Sequence, residues 1–193
     1  MKKILTVVLV LACVCALASC VFDSDPAVAF ASAIANTDPE KATINTVTGT
    51  ELGELKGEYV ITYGDEGAAS IKYSYEQWNK VGEGDEPKRT VTGTITRQAD
   101  GTYTDGKGFS AKADEVTAGF TLNIASVMDD AEINDAGDTL TVTVASADTE
   151  AVLGVKLAYD AELTVIIGGG VVESISVTFA DGSNTGSITC KYK

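Results

Sequence analysis

The sequence predicts a mainly β (α+β) protein: a curved antiparallel meander or incomplete β-barrel, with one N-terminal helix and a short second helix near residues 148–153. Three observations carry this expectation. After Thr43, apolar residues alternate with Thr, Ser and charged residues at period two, the pattern of strands with one buried and one wet face. The alternation is broken at Gly64-Asp65-Glu66-Gly67, Asp100-Gly101, Gly168-Gly169-Gly170 and Asp181-Gly182, clusters whose residue types favour tight hairpin turns. Helical periodicity is confined to two short stretches, each with its own start and stop signals.

Taken in chain order, the first element is a leader. Lys2 and Lys3 precede an apolar run from Ile4 to Ala16. That run is too short to span a hydrocarbon core of roughly 30 Å, which needs about 20 helical residues, and it fits the apolar region of a secretory signal. Leu17-Ala18-Ser19-Cys20 closes it, and this tetrapeptide resembles the bacterial lipobox. The resemblance implies that residues 1–19 are a cleaved signal peptide and that the Cys20 thiol carries a diacylglyceryl group. Two or more acyl chains anchor a protein stably where one does not. The expected organisation is therefore a signal peptide over 1–19, a lipidated tether over 20–25 and a single β-rich domain over 26–193. The expected location is the cell envelope, lipid-anchored to the outer face of the cytoplasmic membrane or to an outer membrane, depending on the host. Val21 stands where an Asp is associated with inner-membrane retention, which permits the second destination.

Asp25-Pro26 is a helix start, with Asp as N-cap and Pro as first helical residue. Ala27, Phe30, Ala31 and Ile34 follow at helical spacing, and Asn36 can end the helix. Asp38-Pro39 predicts one more helical turn before the chain extends. The strands then follow. Tyr59, Ile61 and Tyr63 share a face, as do Ile71, Tyr73 and Tyr75; Val91 and Ile95 alternate with Thr90, Thr92, Thr94 and Thr96. Phe120, Leu122 and Ile124 repeat the pattern, then Leu140, Val142 and Val144, and finally Leu163–Ile167, Ile175–Phe179 and Ile188–Tyr192. Between them, Asp148 to Gly154 has an acidic start, a short apolar run and a Gly stop, which predicts one short helix covering an end or a face of the sheet. Glu58–Tyr75 and Glu162–Phe179 also align without gaps, Gly64 on Gly168 and Ile71 on Ile175. Duplication and convergence under shared patterning rules both account for that echo.

Composition excludes several function classes. Formal net charge is −14 over 193 residues, and −16 once two of the 14 basic residues leave with the leader. A basic footprint for nucleic acid is absent, and so is a polybasic attachment to anionic lipid. Of the four cysteines, Cys13 and Cys15 lie in the leader and Cys20 takes the lipid, so Cys190 remains without a disulfide partner. Its alternation with Ile188 and Tyr192 makes it a small apolar core residue. With no His anywhere, Ser-His-Asp and Cys-His catalysis are excluded.

A lipidated Cys20, one amphipathic helix from Pro26, a long meander and a late helix together resemble the LolA-like and LppX-like lipoproteins. The resemblance is architectural over roughly residues 26–193 and implies an open barrel whose inner side is plugged by helices and can hold an acyl chain. Two further sites are candidates. Trp78, before the acidic loop 82–86, is the candidate ligand-binding residue, a platform for a sugar or apolar ligand; it has the opposite phase to Tyr73 and Tyr75, which the alternation assigns to the core. Asp129, Asp130, Glu132, Asp135 and Asp138 crowd one loop and offer hard oxygen ligands of the kind Ca²⁺ takes, though not at EF-hand spacing.

The sequence-level expectation for function is a membrane-anchored, non-enzymatic envelope lipoprotein, attached through lipid on Cys20, that binds an apolar or envelope-derived ligand and needs no cofactor. The alternatives are a structural or surface-interaction module using the Thr-rich face of the sheet, and a carboxylate-based hydrolase, which needs two acids converging in one cleft.

Overall fold

The computed structural model describes residues 25–50, 53–65, 67–79, 89–112, 123–134, 136–154, 156–181 and 184–193. Cys20 and the rest of the leader, the loop 80–88, Phe120, Leu122 and Asp135 lie outside them. Among the described residues, no helix is long and apolar enough to cross a membrane.

Helix α1 spans Pro26–Asn36 and starts as the sequence predicts: the Asp25 carboxylate accepts hydrogen bonds from the Ala27 and Val28 amides at 3.0 and 3.4 Å, with Pro26 in the first turn. The buried pair is Phe30 and Ala33, whereas Ile34 is 39% exposed. The expected stripe is thus turned by one residue, because the small Ala33 lets the helix backbone approach its neighbours where Ile34 would hold it off. The C-terminus is fastened to the sheet: Thr37 Oγ1 donates to the Ala33 carbonyl and accepts from the Val172 amide, and Asn36 donates to the Gly170 carbonyl. The helical turn expected at Asp38-Pro39 does not form. Lys41 is already committed to the sheet, exchanging backbone hydrogen bonds with Lys193.

The strands are β1 (Lys41–Thr50), β2 (Gly53–Gly64), β3 (Gly67–Asn79), β4 (Arg89–Arg97), β5 (Tyr103–Thr104), β6 (Ser110–Ala111), β7 (Glu132–Ile133), β8 (Thr139–Val144), β9 (Ala161–Gly168), β10 (Val171–Asp181) and β11 (Asn184–Tyr192). They form one antiparallel sheet in the order β6-β5-β4-β3-β2-β1-β11-β10-β9-β8-β7, open because its two end strands do not pair. This is the expected open meander, mainly β. Its two halves, β1–β4 and β8–β11, run in the same direction around the sheet and meet where β1 pairs with β11.

The echo between the halves extends to fine structure. The alignment that pairs Gly64 with Gly168 also pairs Ala69 with Glu173. Both of these residues are the extra residue of a β-bulge, Ala69 opposite Thr62/Tyr63 and Glu173 opposite Ile166/Ile167. At Gly169 and Gly170, both with positive φ, the β9–β10 hairpin closes as a two-residue turn that side chains would strain.

Helix α2 (Thr149–Leu153) ends on Gly154 in the left-handed conformation, as predicted. A 3-10 helix spans Ile124–Asp130, so Ile124, expected at the end of a strand, begins a helix; the rest of that expected strand lies outside the described residues. Ile124 and Met128 are both buried.

The three described helices pack on one face of the sheet, the inner face. Phe30, Ala33, Ile124, Met128, Val152 and Leu153 lie against Leu140, Val142, Leu163, Val165, Ile175 and Val177, and Leu163, Val165 and Val177 are fully buried. A second cluster gathers Ala42, Ile44, Ile61, Ile71, Tyr103 and Cys190, and Ile188 and Tyr192 touch both. Cys190 is a buried free thiol here, as its strand phase predicts.

Candidate functional site

Register fixes which side chains face inward along β1–β4. Ile44 opposes Tyr59, which opposes Tyr73, which opposes Gly93; Thr46 opposes Gly57, then Tyr75, then Val91; Thr48 opposes Leu55, then Gln77, then Arg89. These rows share the phase of the buried Ile61–Ile71 pair. No described helix packs on them. Leu55 is 49% exposed and Val91 39%, and Leu55, Tyr75, Gln77, Arg89 and Val91 line an open depression of about 260 Å³.

Tyr75 lines this depression, and Tyr59 and Tyr73 pack against Tyr75. Tyr59 and Tyr75 meet edge to face, with ring centroids 5.4 Å apart, and their hydroxyls hydrogen-bond to each other; Tyr73 tilts against Tyr75 at 6.0 Å. Burial pushes the Tyr75 phenol above its ordinary value. Tyr73 and Tyr75 lean over their glycine cross-strand neighbours, Gly93 and Gly57. A β-carbon on Gly93 would come 2.8 Å from Tyr73 Cε1, and one on Gly57 3.3 Å from Tyr75 Cε1. Each glycine therefore makes room for a ring that a β-carbon would meet.

The same positions in β8–β11 differ. The alignment of Glu58–Tyr75 with Glu162–Phe179 puts Tyr59 on Leu163 and Tyr73 on Val177. Leu163 and Val177 are fully buried under the helices, whereas Tyr59 and Tyr73 are half-buried. One half of the inner face is thus dry and covered, and the other is aromatic and open.

Charge is sorted between the faces as well. Lys41, Glu54, Lys56, Glu58, Lys72 and Glu76 all have the outward phase. The charged residues with the inward phase on β1–β4 are Arg89 and Arg97, and neither is acidic.

Trp78 sits on the outer face, opposite Glu54. Its indole N–H donates to Glu76 Oε2 at 3.1 Å, and the Lys56 ammonium lies 4.9 Å from its ring centroid while pairing with Glu54 at 3.2 Å. The structure therefore separates Trp78 from the tyrosines, as their opposite phases predict, and it occupies the ring with neighbouring charges. A second open depression, about 380 Å³, lies at the β2–β3 turn and is lined by Gly64, Asp65, Gly67, Ala69 and Thr96–Ala99.

The acidic loop is held by its own side chains. Asn134 Oδ1 accepts from the Asp138 and Thr139 amides, and Asn134 Nδ2 and the Thr139 hydroxyl donate to Asp138 Oδ1. These bonds hold the exposed Asp138 carboxyl below its ordinary value. Asp129 and Asp130 end the 3-10 helix and Glu132 is in β7. Among the described residues, no group of three or more Cys, Asp or Glu side chains is placed to hold a metal ion.

No family model matches the chain, and no curated protein matches it. Among solved structures it is similar to LprF from Mycobacterium bovis, at 9% identity and a TM-score of 0.36 over 88% of this chain and 89% of that one. It is also similar to a porin-like protein from Bacteroides uniformis, at 11% identity and a TM-score of 0.33 over 84% of this chain and 98% of that one. At such scores, nothing about ligand or partner transfers to this chain.

Proposed function

We propose that this chain is a lipid-anchored, non-enzymatic protein of the bacterial cell envelope that binds an apolar or envelope-derived ligand on the open inner face of β1–β4. One observation carries the reading. A single inner face is sealed by helices over β8–β11 and left uncovered by any described helix over β1–β4, with Leu55 and Val91 exposed beside three tyrosines. Contiguous exposed apolar surface of this kind is the mark of a binding face, whereas scattered exposed side chains are ordinary. The charge sorting supports a binding role over catalysis, because the described inner face of β1–β4 offers no carboxylate to serve as acid or base.

The depression sets the scale of the ligand. Sites for drug-sized molecules occupy about 300–1,000 Å³, so 260 Å³ suits a single chain or ring better than a lipid with several chains. The test is solvent extraction of the protein purified from its host, followed by lipid mass spectrometry. An apolar species should co-purify with the wild type and be lost from Leu55→Lys; protein that is ligand-free in both refutes the reading. The anchor is tested by Cys20→Ala, which should abolish fatty-acid labelling and release the protein from membranes.

A surface-interaction module is the second reading. It is favoured by β4, whose residues from Arg89 to Ile95 pair with β3 but with no described strand on their other edge, leaving free backbone groups. A concentration-dependent dimer in light scattering, without any bound lipid, would support it instead.

A further inference from the structure

Resting on that binding site, we infer that its ligand is a single-chain anionic amphiphile of the fatty-carboxylate class, held with its chain against Leu55, Tyr75 and Val91 and its head group at Arg89. Three observations converge on this polarity. First, the depression is two-ended: Leu55, Tyr75 and Val91 supply apolar and aromatic surface, while Arg89 and Gln77, opposite each other on β4 and β3, supply the polar end. Second, a chain with 28 acidic and 14 basic residues has put no acid with the inward phase on β1–β4, yet has put Arg89 there. Such sorting leaves nothing on that face to repel an anion. Third, Arg89 has no ion-pair partner among the described residues, whereas Lys56 on the outer face is held by Glu54. The guanidinium thus has its planar donor fork free, and that geometry matches a carboxylate bidentately. Gln77 adds an amide donor beside it.

Size argues in the same direction. A cavity of about 260 Å³ takes one medium-length chain, and a neutral apolar ligand alone would leave Arg89 and Gln77 without a role. Gly57 and Gly93 make room for the Tyr75 and Tyr73 rings, and Tyr75 adds aromatic surface beside Leu55 and Val91.

The experiment uses residues 21–193, which retain every described element. Binding of decanoate and of decanol is measured by titration calorimetry, on wild type, Arg89→Gln and Leu55→Lys. Wild type should bind decanoate about three- to tenfold more tightly than decanol, the range between an exposed and a well-formed bidentate pair. Arg89→Gln should remove that preference while leaving decanol affinity unchanged, and raised salt should shrink the preference in wild type alone. Equal affinities in wild type, or a preference that survives Arg89→Gln, would overturn the assignment of an anionic head group and leave the apolar site standing. If neither compound binds, or Leu55→Lys binds both as well as wild type, the site itself is refuted.

Discussion

Leu163 and Leu55 share a residue type, a sheet and an inner face, but the structure assigns them opposite roles, and truncating each to Ala separates the two. Leu163 is fully buried in β9 under the helices. Leu→Ala at such a site loses the transfer energy of the removed carbons and leaves a cavity, about 3 kcal/mol or more together. Leu55 is 49% exposed in β2, so about half of its transfer energy is already forfeited to solvent and little cavity can form. Its truncation should cost about 1 kcal/mol or less. In urea, with a slope of about 2 kcal/mol per molar, Leu163→Ala should lower the midpoint by about 1.5 M and Leu55→Ala by less than about 0.5 M. Far-UV circular dichroism follows the sheet, and the lone Trp78, on the outer face of β3, reports independently without touching either leucine. Decanoate well above its dissociation constant should raise the wild-type midpoint by mass action, and Leu55→Ala should lose that increment while Leu163→Ala keeps it. Equal destabilisation by the two truncations would refute the reasoning, because it would mean that the β1–β4 face is packed as tightly as the β8–β11 face.

Three further predictions test other parts of the molecule. Gly93→Ala drives a β-carbon into the Tyr73 ring and should cost about 1–3 kcal/mol; Tyr73→Ala should relieve most of that, so the double variant is more stable than the summed single costs, read by denaturation in a double-mutant cycle. Burial, ahead of any neighbouring charge, raises the pKa values of Cys190, Tyr63 and Tyr192 above their ordinary values. Since each is neutral when protonated, the folded state holds these protons more tightly. Their contribution is complete below about pH 8 and is lost as pH rises through the folded values, so urea midpoints should fall from about pH 9 upward, less steeply in Tyr192→Phe. Asn134→Ala removes three hydrogen bonds from the β7–β8 turn and should cost about 1–2 kcal/mol, with faster amide exchange at Asp138 and Thr139.

The strands were legible because period-two alternation states which residues share a face, and because glycines mark the turns. The face assignments of Tyr59, Tyr73 and Tyr75 follow from that phase alone, as does the separation of Trp78 from them. What covers a face is a different kind of fact. Tyr73 reads as core because it is in phase with Ile71, but whether a helix arrives above it depends on where α1 and the 3-10 helix dock, and both choose the other half. Ile124 shows the same limit: its four-residue spacing to Met128 is compatible with one face of a strand and with a helix, and the chain there is a 3-10 helix that buries both. Arg89 carried a signal that went unused. It has the phase of Val91 and Ile95, so the alternation places a cation on the apolar face of β4, as it does Arg97 at the strand's other end.

The two halves of the sheet also bear on how the open face arose. Shared patterning rules make any two hairpins alternate alike, but they do not dictate where a bulge falls. Ala69 and Glu173 occupy aligned positions and are both bulged, and Gly64 and Gly168 each lie against the bulged side chain, with Gly64 3.5 Å from Ala69 Cβ measured from an added β-carbon. A bulge is a local feature that a copied hairpin would retain and an independent one would have no reason to match. If the halves began alike, their differences mark what each came to do. Leu163 and Val177 suit a face beneath helices, where any hydroxyl would need a buried partner. Tyr59 and Tyr73 suit a face that meets water when empty and an apolar chain when filled, because a tyrosine ring offers large apolar area while its hydroxyl remains satisfied in either state.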